Sequence, residues 1–170
     1  MEKTILPFGH PILRKQAEPI VKFNRDLHRL LDDMTAILYA KEGRAGLAAP
    51  QIGVSLRVIV MDCGEGKIEL INPVILENEG EQVGPEACLS FLGYTGVVKR
   101  ANYVKVKNMT RNGHEVILEG EEFLARCIQH EMDHLDGVLF IDHIEDGQLY
   151  DDLSGKKVDL DEALRLSKKR

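Results

Sequence analysis

An α+β domain is what this 170-residue chain predicts, and three observations predict it. Apolar residues recur at helical spacing in two well-separated stretches, one starting at Asn24 and the other spanning Glu121 to Leu135. Between them lie short runs with the composition or the period-two alternation of strands. Strand and helix signals do not alternate along the chain, so a parallel βαβ sheet is not expected. The expected architecture is small antiparallel or mixed strands around a central helix, with a second helix near the N-terminus.

The elements follow in order. Leu27, Leu30, Leu31, Met34, Ile37 and Leu38 form one apolar stripe. Asn24 suits the N-cap of that helix and Asp26 its first turn, where a carboxylate meets the positive end of the helix dipole. A loop containing Gly43, Gly46 and Gly53 comes next. Strand-like runs then cover Arg57–Met61, Ile68–Ile71 and Val74–Leu76, with Pro73 expected to break or edge the pairing because it lacks an N–H. Tyr103–Lys107 alternates, Asn112-Gly113 marks a tight turn, and His114–Leu118 returns as the second arm of a hairpin. The second helix carries Phe123, Leu124, Cys127, Ile128 and Leu135, and Gly137 stands where it would stop. Val138–Ile141 reads as one more strand. Residues 1–145 are expected to form a single domain. Residues 146–170 read as a polar, solvated tail with a short helix over Leu160–Leu166 and a basic end, Lys168-Lys169-Arg170.

Composition narrows the function classes. Apolar content of 44% with 29% charged residues is that of a globular protein with a real core. A net charge of −6 argues against a direct nucleic-acid substrate. No apolar run approaches the roughly 18 residues of a membrane span. Three cysteines, an odd number, fit a reducing compartment better than a disulfide framework. A cytoplasmic location is expected.

The most informative stretch is Gln129-His130-Glu131-Met132-Asp133-His134. Histidines four apart lie one above the other on the same helix face, so His130 and His134 can reach one metal ion. Glu131 emerges beside that ion, where a carboxylate can take a proton from water. Alone, a pattern with two wildcards recurs by accident. A catalytic site of this kind wants three protein ligands and one open position. Candidates for the third are Cys63, Cys88, Cys127 and the downstream carboxylates. Cys127 lies seven residues from His134, about 10 Å of helical rise, which a thiolate bound at about 2.3 Å does not span comfortably. It reads as a core residue lining the pocket. Cys63 reads as structural. Cys88 sits among turn-forming residues that can aim it inward, although spacing alone does not choose it.

Three segments together resemble the peptide deformylase family. They are Gly46-Leu47-Ala48-Ala49-Pro50-Gln51-Ile52-Gly53, Glu86-Ala87-Cys88-Leu89-Ser90, and Gln129 to Gly137 around the two histidines. Gly9-His10-Pro11-Ile12-Leu13-Arg14 and Leu139-Phe140-Ile141-Asp142 add to the likeness, which covers about residues 4 to 145. The resemblance implies that Cys88, His130 and His134 ligate one divalent metal ion, natively iron(II), with zinc, nickel or cobalt able to substitute. It implies that Glu131 is the general base and acid, and that the Gln51 amide and the Leu89 N–H stabilise charge on the formyl oxygen. The implied substrate is the N-formylmethionyl end of a nascent polypeptide. Its side chain would meet Phe123 and Cys127, and its backbone would meet Gly46, Glu86 and Ala87. The ribosome is a natural further partner, and no membrane is involved.

The chain departs from the family pattern at Arg44, Ala87 and Leu92, where the family usually has glycine, glycine and proline. These positions bear on substrate preference and leave every implied ligand in place. Two alternatives stay open on sequence: an amidase acting on another N-acyl group, and a non-catalytic metal-binding domain.

Overall fold

The computed structural model describes residues 4–144 and 147–167. Helix α1 (Arg25–Tyr39) begins as expected, with the Asn24 side chain accepting the Leu27 N–H at 3.2 Å. Its stripe of Leu27, Leu30, Leu31, Met34 and Leu38 is buried. Strands β1 (Gly46–Ala48), β2 (Val58–Asp62), β3 (Lys67–Glu79), β6 (Tyr103–Met109) and β7 (Glu115–Glu121) form one antiparallel sheet in the order β1-β2-β3-β6-β7. Strands β4 (Gln82–Cys88), β5 (Phe91–Arg100) and β8 (Leu149–Asp151) form a second antiparallel sheet in the order β4-β5-β8.

The larger sheet is sandwiched between helices, and β2 shows how. Successive strand residues face opposite sides. Val58 and Val60 join Leu31, Met34 and Leu38 of α1 in one apolar cluster. Ile59 and Met61 join Ala125, Ile128, Met132 and Leu135 of helix α2 (Glu122–Leu135) in another. A strand buried on both faces reads as a continuous apolar run, as Val58–Met61 does. A third cluster (Phe91, Tyr94, Val98, Phe140, Leu149) lies under the smaller sheet.

Four expectations change. Ile68–Ile71 and Val74–Leu76 are one strand, because a bulge absorbs Pro73. Asn72 takes φ 52°, the register shifts between Ile71 and Val74, and the Asn72 amide bonds both backbone groups of Ile20. Val138–Ile141 is not a strand: Phe140–His143 forms a 3-10 turn that buries Phe140 and Ile141. Strands β4 and β5 occupy a region the sequence pattern left as loop. Finally, the segment beyond 146 is not a solvated tail. Its strand β8 pairs with β5, and helix α3 (Leu160–Ser167) buries Ala163 in the third cluster. Enough apolar residues are scattered among its charges to dock it. The expected boundary at residue 145 and the basic end at 168–170 lie outside the described residues.

Candidate metal centre

Helix α2 places His130 and His134 one turn apart, with ring centroids 5.2 Å apart. Cys88 ends β4, immediately before the two-residue turn that reverses the chain into β5, where Cys88 pairs with Phe91. That turn brings the sulfur to His134 Nε2 at 3.4 Å. Ligand atoms of Cys88, His130 and His134 all lie within 4.8 Å of one another. The candidates left open among the cysteines are thereby separated. Cys63 packs against the α2 core cluster, and Cys127, 9% exposed, belongs to that cluster. The Cys127 thiol is pushed up by its hydrogen bond with Cys63 and by burial, which keeps it a neutral wall.

The ring nitrogens are assigned by their neighbours. His130 Nδ1 meets Glu86 Oε1 at 2.8 Å, which turns its Nε2 toward Cys88 and His134. Glu86 also accepts from Arg100 Nη2 (2.8 Å) and Arg100 Nε (2.9 Å) and from Arg126 Nη1 (2.6 Å). Burial opposes charge on Glu86, but the bonds from Arg100 and His130 outweigh it and hold the carboxyl at about 2. Glu86 was expected to meet the substrate as part of a strand, through its main chain. Its carboxylate is engaged inside the protein, because alternation along β4 turns Glu86 and Cys88 inward and leaves Ala87 exposed. Ala87 is exposed and borders the cleft.

Glu131 is 5% exposed, and its Oε2 has no partner among the described residues. Burial raises its carboxyl to about 7, with the positive charge of His130 opposing. The carboxylate lies directly over Gly46: a Cβ there would stand 2.8 Å from Glu131 Cγ and Oε1. Gly46 is required for this close approach. Gln51, 1% exposed, accepts the Ala48 N–H at Oε1 (3.0 Å) and donates from Nε2 to Ser90 Oγ (3.2 Å) and toward Cys88 Sγ (3.7 Å). Its amide is thus locked with the N–H side toward the sulfur. The Ser90 N–H also points at that sulfur, at 3.4 Å.

These groups border a cleft of about 280 Å³ lined by Gly46, Gln51, Ala87, Leu89, Phe123 and Cys127 among others. Phe123 stands at its mouth, 56% exposed. Arg44 also reaches the rim, but its guanidinium donates to the Ile37 carbonyl and so caps the end of α1. Sequence reasoning missed Ser90, Arg100 and Arg126. Ser90 belongs to a recognised motif, whereas nothing local marks two arginines as buried partners of a distant carboxylate.

The donor set fits a divalent first-row metal. A sulfur and two imidazoles suit such ions, and His130 is drawn well above its ordinary pKa, against burial, by Cys88 and Glu86 beside it. His134, by contrast, is pushed down by burial and by the charge of His130, leaving a neutral imidazole.

Comparison with known proteins agrees with this geometry. The sequence profile of the Polypeptide deformylase family matches residues 2–149. A peptide deformylase of Heliobacterium modesticaldum is 51% identical over 141 residues, 83% of this chain and 93% of that protein. Peptide deformylase 1 of Bacillus cereus is 53% identical over 138 residues, 80% of this chain and 88% of that protein. The crystal structure of peptide deformylase from Thermotoga maritima superposes with a TM-score of 0.82 at 43% identity, covering 85% of this chain and 99% of that one. That of a peptide deformylase from Legionella pneumophila gives 0.81 at 41% identity, covering 86% and 88%. With a cysteine and two histidines clustered within ligand distance, a buried glutamate beside them and this likeness along most of its length, the chain belongs to the polypeptide deformylase family.

Proposed function

We propose that this chain hydrolyses the formyl group from the N-formylmethionyl end of newly made polypeptides, with Glu131 as the proton carrier. One observation carries the reading: a buried, unpartnered carboxylate beside the Cys88–His130–His134 cluster, placed to pass a proton between a water and a departing amine. Cys88, His130 and His134 hold one divalent metal ion. When bound, that ion supplies Lewis acidity, which makes water nucleophilic near neutral pH. Iron(II) is the native ion on this reading, with zinc, nickel or cobalt able to replace it.

Glu131 takes a proton from the attacking water as oxygen bonds to the formyl carbon. It then gives the proton to the amine as the C–N bond breaks, so that formate and a free N-terminus leave. Negative charge builds on the formyl oxygen meanwhile. The Gln51 amide, held beside the cleft by Ala48 and Ser90, and the Leu89 N–H stabilise it. The methionine side chain enters the apolar part of the cleft between Phe123 and Cys127. The peptide backbone runs extended between β1 and β4, the edge strands of the two sheets, which both border the cleft. Gly46, Glu86 and Ala87 meet it with their backbones, while the Glu86 side chain acts through His130. Every residue given a role here lies within 1–145, and strand β8 and helix α3 complete the fold that holds them. The enzyme works in the cytoplasm on chains leaving the ribosome.

The test is formate release from formyl-Met-Ala-Ser by protein loaded anaerobically with iron(II) or nickel. Rapid release by the wild type, and loss of about three orders of magnitude or more in Glu131→Ala, is expected. No release by folded, metal-loaded protein would reject this substrate. Acetyl-Met-Ala-Ser run in parallel separates a deformylase from a broader amidase.

A further inference from the structure

We infer that Arg126 is a positioning residue of the metal centre: it fixes the Glu86 carboxylate that orients the His130 ring. This rests on the metal-site reading above. Arg126 lies one helical turn before His130 on α2 and is 5% exposed. Its Nη1 donates to Glu86 Oε2 at 2.6 Å, to the Val98 carbonyl at 3.0 Å and to the Gly84 carbonyl at 3.3 Å. Its Nε donates to Gln82 Oε1 at 3.3 Å. Its Nη2 is buried with no partner among the described residues.

A buried guanidinium with an unpaired nitrogen is a costly way to tie a helix to a strand. It is also a positive charge one turn from a residue that is to bind a cation. A neutral side chain would tie α2 to the two carbonyls without either cost. What the charge adds is a grip on Glu86. Arg100 bonds both oxygens of that carboxylate, at 2.8 and 2.9 Å, and so does not by itself prevent their exchange. Arg126 bonds Oε2 alone. With Oε2 anchored, Oε1 is the oxygen left to face His130 Nδ1, at 2.8 Å. That bond keeps the proton on Nδ1 and Nε2 free to ligate. The chain of control therefore runs from Arg126 through Glu86 to a metal ligand, without Arg126 touching metal or substrate.

The experiment compares wild type, Arg126→Leu and Arg126→Lys, each loaded with one equivalent of cobalt(II). Three quantities are read: the visible absorption bands of the thiolate-bound ion, the rate of cobalt loss to excess chelator, and the melting temperature with and without metal. Arg126→Leu is expected to shift the bands and to lose cobalt about 10- to 100-fold faster, the range for removing an outer partner of a ligating histidine. Arg126→Lys, which keeps a charge on Oε2, is expected to recover much of both. Unchanged bands and release rate in Arg126→Leu, with a lower melting temperature in both forms, would reduce Arg126 to a structural clip and overturn the inference. If Arg126→Leu does not fold, Arg126→Gln decides by the same two metal readouts. Wild type that binds no cobalt through a thiolate would overturn the metal-site reading, and the inference with it.

Discussion

At the scale of single residues, the site is governed by two carboxylates driven in opposite directions. Glu131 is held near 7 by burial, against an ordinary value of 4.5. Between those values the folded chain keeps a proton that the unfolded chain has lost. Its contribution is thus fully present below 4.5 and disappears as pH rises through 7. In protein stripped of metal, Glu131→Gln should therefore gain stability relative to wild type as pH climbs from 4.5 past 7, by about 3 kcal/mol at 1.36 kcal/mol per unit. Urea unfolding in the presence of chelator at pH 5 and pH 8 measures it, and an equal difference at the two values would contradict the shift. Gly46 is the second residue-scale test. Its added methyl in Gly46→Ala would meet Glu131 at 2.8 Å and push the carboxylate off line. A displacement of that kind should cost about 100-fold in kcat, with the metal still bound by absorption.

At the scale of elements, helix α2 and the β4–β5 turn make the site, and they were unequally legible. The helix announced itself, since apolar period, histidine spacing and the stop at Gly137 all lie within one stretch. Strands β4 and β5 did not, because Gly84, Pro85, Gly93 and Gly96 interrupt the apolar pattern and suggest turns. Gly96 is where Ile144 packs, a Cβ there standing 2.5 Å from its Cδ1, so the glycine answers a packing demand and not a turn. Strand β8 makes a prediction of its own. Leu149, 1% exposed, seals the cluster of Phe91, Tyr94, Val98 and Phe140 beneath the smaller sheet. Leu149→Ala should lower unfolding free energy by about 2–5 kcal/mol, read by denaturant titration. A loss under about 0.5 kcal/mol would mean that the C-terminal segment does not hold this sheet in solution.

At the scale of the whole molecule, the Glu86 cluster joins the smaller sheet to α2, and through α2 to the larger sheet. Arg100 carries the connection one step further, to Asp133 at 2.6 Å, and Asp133 meets His143 at 3.0 Å. Glu86 is held at about 2 against an ordinary 4.5. A depressed carboxyl contributes stability that is present above 4.5 and lost as pH falls through 2. Metal-free wild type should lose about 3 kcal/mol over that window from this group. Glu86→Gln should be less stable at pH 6 and should lack that step, which acid titration of the unfolding midpoint checks. The sequence by itself determined the chemistry: two histidines and a glutamate on one helical face, and three motifs whose order points to one family. Helical periodicity is local, so four residues of spacing suffice to bring those groups together. Spacing left the third ligand open and the motif likeness pointed to Cys88; only the tertiary structure brought that sulfur to the histidines and showed that Glu86 serves His130. It also showed that Arg100 and Arg126 are buried around that carboxylate, and that the C-terminal segment completes a sheet. Each of these depends on pairing between segments distant in the chain, and no local pattern encodes the register of such a pairing.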